Sequence, residues 1–133
     1  MITIDYRTEY LEGEPGPNFY WLDTPNDFMN LVIELHALGQ KNGIEKVLNN
    51  IQFVKVVGNY KIVTTSSVGG NLLCKVDKNT ITINLDCTLW RLVLGVFLGI
   101  SFYACHHYLD FEDFNLIEDA NFIVSSEGES HSI

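Results

Sequence analysis

In the opening MITIDY, Ile2 and Ile4 alternate with polar neighbours at the period of two that a half-buried strand requires. EGEPGPN breaks that pattern, its Gly and Pro predicting a loop. Beyond residue 23 the period changes. Phe28, Leu31, Val32, Leu35 and Leu38 recur at helical spacing and give one apolar face. Thr24 suits the N-cap, Pro25 and Asp27 suit the first turn, and Gly39 or Gly43 can end the helix.

IEKVLNN predicts a short helix or turn. IQFVKVVG and YKIVTTSS are β-branched runs joined by GNY, and they predict a hairpin. NLLCKVDKNTITINLD predicts a second one, with Leu72, Cys74 and Val76 alternating on one strand, Ile81, Ile83 and Leu85 on the next, and DKNT turning between them. Four consecutive antiparallel strands result. In DCTLWRLVLGVFLGISFYACHHY, Asp86 or Thr88 caps a long helix that is apolar nearly all round, as the main cover of a sheet should be. Gly95 and Gly99 of GVFLG are expected to let that helix lie close on the sheet. A further strand is expected around Phe122 to Val124, then a flexible polar tail over 126–133. The expected fold class is α+β: a mainly antiparallel sheet of about four to five strands packed against two main helices, as one domain over 1–133.

With 133 residues, 47% of them hydrophobic, the chain can bury one core of its own. Its longest uncharged apolar run, Leu92 to Cys105, is shorter than the roughly 18 to 20 residues that cross a bilayer, so no membrane span is expected. The N-terminus lacks the basic start and apolar stretch of a signal peptide, which points to the cytoplasm. Cys74, Cys87 and Cys105 are odd in number and form no short-spaced metal pair, so reduced thiols and no disulfide are expected.

The net charge of −9 is unevenly spread. Residues 1–40 set seven carboxylates against Arg7, residues 41–91 carry an excess of lysine, and residues 92–133 hold seven carboxylates with no Lys or Arg. A modest basic middle between acidic flanks argues against nucleic acid; on charge alone a basic protein partner and the ordinary solubility of an acidic protein stay equally open. Lys55, Lys61, Lys75 and Lys78 have no stacking aromatics between them and read as a solvated face.

FYACHHYLDFEDF brings Cys105, His106, His107, Asp110, Glu112 and Asp113 together, residue types that bind zinc or act as base and nucleophile. The spacing does not suit that chemistry: adjacent histidines diverge on a helix or a strand, and helical ligands sit three or four apart. His106 and Asp110 are four apart, which on a helix equally describes imidazole capping of the last carbonyls. No catalytic residue, metal or cofactor is expected. SSVGGN lacks the Lys-Ser or Lys-Thr of a phosphate loop and reads as a turn. In the N-terminal loop RTEYLEGEPGPNFYW, Tyr10, Phe19, Tyr20 and Trp21 stand among Glu9, Glu12, Glu14 and Asp23. Two readings stay open there, an aromatic-acidic surface for an Arg- and Lys-rich partner or aromatics that complete the core.

A central helix of the type LWRLVLGVFLGISFYA leading into HHYLDFEDF, in an acidic single-domain chain of this size, resembles the immunity proteins that bacteria pair with polymorphic toxins. The resemblance is in particular to those of contact-dependent growth inhibition systems. The resemblance spans the second half of the chain. It implies a cytoplasmic, non-catalytic protein that neutralises the C-terminal toxin domain of its cognate system, a nuclease and most readily an RNase, by covering a basic active-site cleft. On that reading Asp110, Glu112, Asp113, Glu118 and Asp119, with Glu12 and Glu14, face toxin cations, while Tyr108, Phe111 or Trp21 fill pockets. The alternatives are a small His-dependent or metal-binding enzyme and a non-catalytic oligomerisation module.

Overall fold

Ile2 and Ile4 are fully buried on strand β1 (Ile2–Arg7), as their alternation requires. The structure, a computed structural model, describes residues 1–7, 18–23, 25–102, 106–109 and 121–126. Within them the chain runs β1, β2 (Asn18–Asp23), α1 (Pro25–Gln40), β3 (Glu45–Val47), a 3-10 turn Leu48–Asn50, β4 (Val54–Val56), β5 (Lys61–Ser66), β6 (Asn71–Asp77), β7 (Thr80–Leu85), α2 (Cys87–Phe102), β8 (His106–Leu109) and β9 (Asn121–Ser126). The class is α+β, with the two expected helices. The tail expected over 126–133 lies, beyond Ser126, outside the described residues.

The strands divide between two sheets, of order β4-β1-β2-β9-β8 and β3-β5-β7-β6. β6 and β7 form the expected hairpin, with a register shift between Leu72 and Lys75 and Lys78 in the turn at φ 56°. The other expected hairpin does not form. β4 pairs in parallel with β1 in the first sheet, and β5 joins the second, antiparallel to β3 and parallel to β7. β5 buries Ile62, Val63 and Thr64 in succession, so both its faces are covered, as in an interior strand. Asn49 fixes the switch between sheets: its amide donates to the Tyr60 carbonyl and its Oδ1 accepts from the Ile62 N–H, each at 2.8 Å. IEKVLNN supplies a short strand ahead of that turn, because Glu45–Val47 finds β5 as a partner.

α1 and α2 run antiparallel and pack chiefly against each other rather than each crossing a sheet alone. Phe28 near the start of α1 stacks on Phe97 late in α2, with ring centroids 5.7 Å apart. At the other end Asn42 Oδ1 accepts the Cys87 N–H at 2.9 Å. The close approach there belongs to Gly39, where a Cβ would stand 2.9 Å from Arg91 Cγ. Gly95 and Gly99, expected to make such a contact with a sheet, face open space. One core gathers Ile2, Ile4 and Trp21 from the first sheet, Ile62, Ile81, Ile83 and Leu85 from the second, and the inner faces of both helices. Asp86 is the N-cap of α2: its Oδ1 accepts from the Thr88 N–H at 2.9 Å and its Oδ2 from the Gly69 N–H at 3.3 Å. Those donors, Thr88 first, hold the Asp86 carboxyl below its ordinary value.

Candidate partner interface

Strand register places the strand ends that flank the two acidic stretches of the sequence. β1 and β2 are antiparallel with Arg7 facing Asn18, β2 and β9 are parallel with Asn18 facing Asn121, and β8 and β9 are antiparallel with Leu109 facing Phe122. The end of β1, the starts of β2 and β9 and the end of β8 therefore share one end of the first sheet. The chain leaves and re-enters that end twice, once around residues 8–17 and once around 110–120. Those two stretches hold Glu9, Glu12, Glu14, Asp110, Glu112, Asp113, Glu118 and Asp119, with no Lys or Arg. Neighbouring strands lie about 4.8 Å apart, so the stems at Asn18 and Asn121 are immediate neighbours. Glu12, Glu14, Asp110, Phe111, Glu112, Asp113, Glu118 and Asp119 themselves lie outside the described residues.

The cation at this end is already engaged: Arg7 Nε donates to Asp5 Oδ2 at 2.8 Å. Lys55 is exposed on β4, at the opposite edge of the sheet from β8. The two edges of the sheet are thus β4, with the exposed Lys55, and β8, whose last residue Leu109 precedes the acidic stretch in the sequence. At the β4 side Tyr60 meets Tyr6 edge to face, with ring centroids 5.5 Å apart. Sequence alone gave no sign of this contact, because Tyr60 follows the unforeseen switch between sheets.

Trp21 is not a surface anchor. It lies on β2, facing Ile4 in register, is 1% exposed, and packs its ring 5.3 Å from that of Phe97. Its neighbourhood was expected to be loop, whereas residues 18–23 form a strand between β1 and β9 and turn Trp21 into the core. The reading in which the aromatics complete the core holds for this residue.

Tyr108 lies on β8, paired with Ile123. His106 and His107 precede it on the same strand, opposite Ser125 and Val124. The four-residue relation of His106 to Asp110 is thus not a helical one, and capping of α2 by His106 through that spacing does not apply, because the helix ends at Phe102. Cys105 and Asp110 lie outside the described residues. Among the described residues no group of three or more His, Cys, Asp or Glu side chains is arranged to hold a metal ion. Lys55 and Lys61 belong to different sheets, so the four lysines do not share one strand face.

An open groove of about 540 Å³ lies elsewhere, between α1 and the β3–β4 segment, lined by Glu34, Glu45, Lys46, Asn50, Gln52 and Phe53 among others. Its charges are mixed and it gathers no catalytic set of groups. Among the described residues no helix is long and apolar enough to cross a membrane. The chain matches no protein-family model, no curated protein and no solved structure.

Proposed function

We propose that this protein is an immunity protein: it binds a cognate toxin domain, a nuclease and most readily an RNase, and silences it by laying an acidic surface over the basic cleft that otherwise holds phosphates. The observation behind this reading is the shared sheet end, to which both carboxylate-rich stretches are tied at adjacent strands. Two such stretches on neighbouring stems offer a partner one concentrated negative field, which raises the association rate and selects cationic surfaces. Tight holding then requires apolar anchors; Trp21, buried in the core, is not one of them, and the proposal assigns that part to Phe111 and Tyr108. The protein works by occupation, with no turnover of its own, in the cytoplasm where such a toxin acts.

The test is co-expression with the toxin domain encoded immediately upstream, followed by pull-down and a nuclease assay. A stable complex with suppressed cleavage is expected. An upstream toxin that neither binds nor loses activity overturns the reading.

A further inference from the structure

All three residues of β3, Glu45, Lys46 and Val47, line the open groove of about 540 Å³ beside α1, together with Glu34 of that helix and the apolar Ile51 and Phe53. Volumes of about 300 to 1,000 Å³ are what ligand sites offer. β3 is also an edge strand, with β5 as its neighbour among the described residues. An open sheet edge beside a groove is the setting in which an extended peptide adds itself to a sheet, its main chain giving affinity and its side chains specificity.

Register fixes which groups of β3 such a strand would meet. The Ile44 carbonyl accepts the Ser66 N–H at 2.9 Å and the Lys46 carbonyl accepts the Thr64 hydroxyl at 2.8 Å, so both positions face β5. Positions alternate in an antiparallel pair, so Glu45 directs its N–H and C=O, and Val47 its N–H, to the outer side. The Val47 carbonyl belongs instead to the 3-10 turn that Val47 caps. Among the described residues Glu34, Glu45 and Lys46 engage in no ion pair, which leaves two carboxylates and one ammonium for an occupant.

Side chains directly opposite across two strands share a face, where unlike charges attract and like charges repel. A second copy of β3 is therefore a poor occupant. Antiparallel pairing through the outward groups of Glu45 sets Glu45 against Glu45 in one register and Lys46 against Lys46 in the other. We propose that the outer edge of β3 takes an extended peptide of another protein as an added antiparallel strand, with an apolar residue opposite Val47, an acidic one opposite Lys46 and a basic one opposite Glu45. Glu34 tips the groove toward a segment of net positive charge. This site is separate from the acidic sheet end and does not depend on the immunity reading.

The test is titration of the isotope-labelled full chain with the blocked peptide acetyl-TVERVK-amide, read by amide shifts in NMR and by hydrogen exchange at Glu45 and Val47. Acetyl-TVREVK-amide is the control: composition and net charge are the same, but the charges opposite Glu45 and Lys46 are exchanged. The first peptide should bind with a Kd of about 1 mM or tighter and slow exchange at both amides. It should bind at least about fivefold more tightly than the control. Methylating the amide nitrogen of its arginine, which donates to the Glu45 carbonyl in the added strand, should abolish binding. Glu45→Lys/Lys46→Glu should reverse the preference between the two peptides, a result that loss of folding cannot produce. Absence of binding, equal binding of the two peptides, or full binding by the methylated one overturns the proposal. So does slowing of the same amides by raised protein concentration alone, which would place a second copy on the edge.

Discussion

Asn18 and Asn121 stand opposite each other at the starts of the parallel strands β2 and β9, although nearly the whole chain separates them. This pairing ties the stems of the two acidic stretches together and makes a direct prediction. On the proposed function, replacing Asp110, Glu112 and Asp113 by Ala should weaken binding of the toxin domain by roughly 2 kcal/mol or more, and Glu12→Ala/Glu14→Ala should weaken it further. If both stretches contact one cleft, a double-mutant cycle between the two sets gives a coupling of about 0.5 kcal/mol or more by calorimetry. Strict additivity would show that they engage independent surfaces.

Trp90 joins α2 to the second sheet, its indole N–H donating to the Thr65 carbonyl of β5 at 2.7 Å. The ring is 2% exposed, so little water can replace that donor. Trp90→Phe should cost about 1 to 3 kcal/mol. Urea unfolding should show the midpoint falling while the slope stays constant.

Two glycine positions predict opposite signs. At Gly70 a Cβ would meet backbone atoms of Leu85 and Asp86 at 2.9 and 3.0 Å, and neither can step aside without disturbing the cap of α2. Gly70→Ala should destabilise by about 1 to 3 kcal/mol. At Gly95 the space is open and the helix gains a better former, so Gly95→Ala should stabilise by about 0.5 to 1 kcal/mol. Thermal melts of the two variants against the wild type check both.

The Asp86 cap should reveal itself through pH. Its carboxyl is depressed in the folded state relative to an ordinary value of 3.8, so its contribution is fully present above that value. It is lost as pH falls through the folded value. Asp86→Ala should therefore melt below the wild type at neutral pH, and the two curves should converge as the solution is acidified well below 3.8. A gap that persists in acid would mean that packing, not the carboxylate, carries the effect.

Local order was legible in the sequence. The period of two at Ile2 and Ile4, the helical stripe from Phe28 to Leu38, the β6–β7 hairpin and the Asp86 cap all follow from neighbours a few residues apart. Strand partnership was less so. β4 and β5 read as a hairpin because only Gly58 and Asn59 stand prominently between them, yet burial of both faces of β5 and the Asn49 amide assign them to different sheets. Trp21 beside acids reads equally as a surface or a core aromatic until residues 18–23 are placed as a strand between β1 and β9. Glycine spacing alone likewise did not reveal that the close helix contact falls at Gly39 and not at Gly95. Of the candidate interface, the carboxylates were evident from composition, but their shared anchorage depends on a pairing between distant segments.

The parallel pairing of β2 with β9 also constrains when the protein can act. β8 reaches the rest of its sheet only through β9, and β2 lacks one neighbour until β9 is in place. A ribosome must therefore deliver residue 126 before the five-stranded sheet can close, and so distant a contact makes that closure slow compared with helix formation. A chain whose synthesis has not passed Ser126 lacks the strand on which two others depend, so on the proposed function protection waits for β9 to be made.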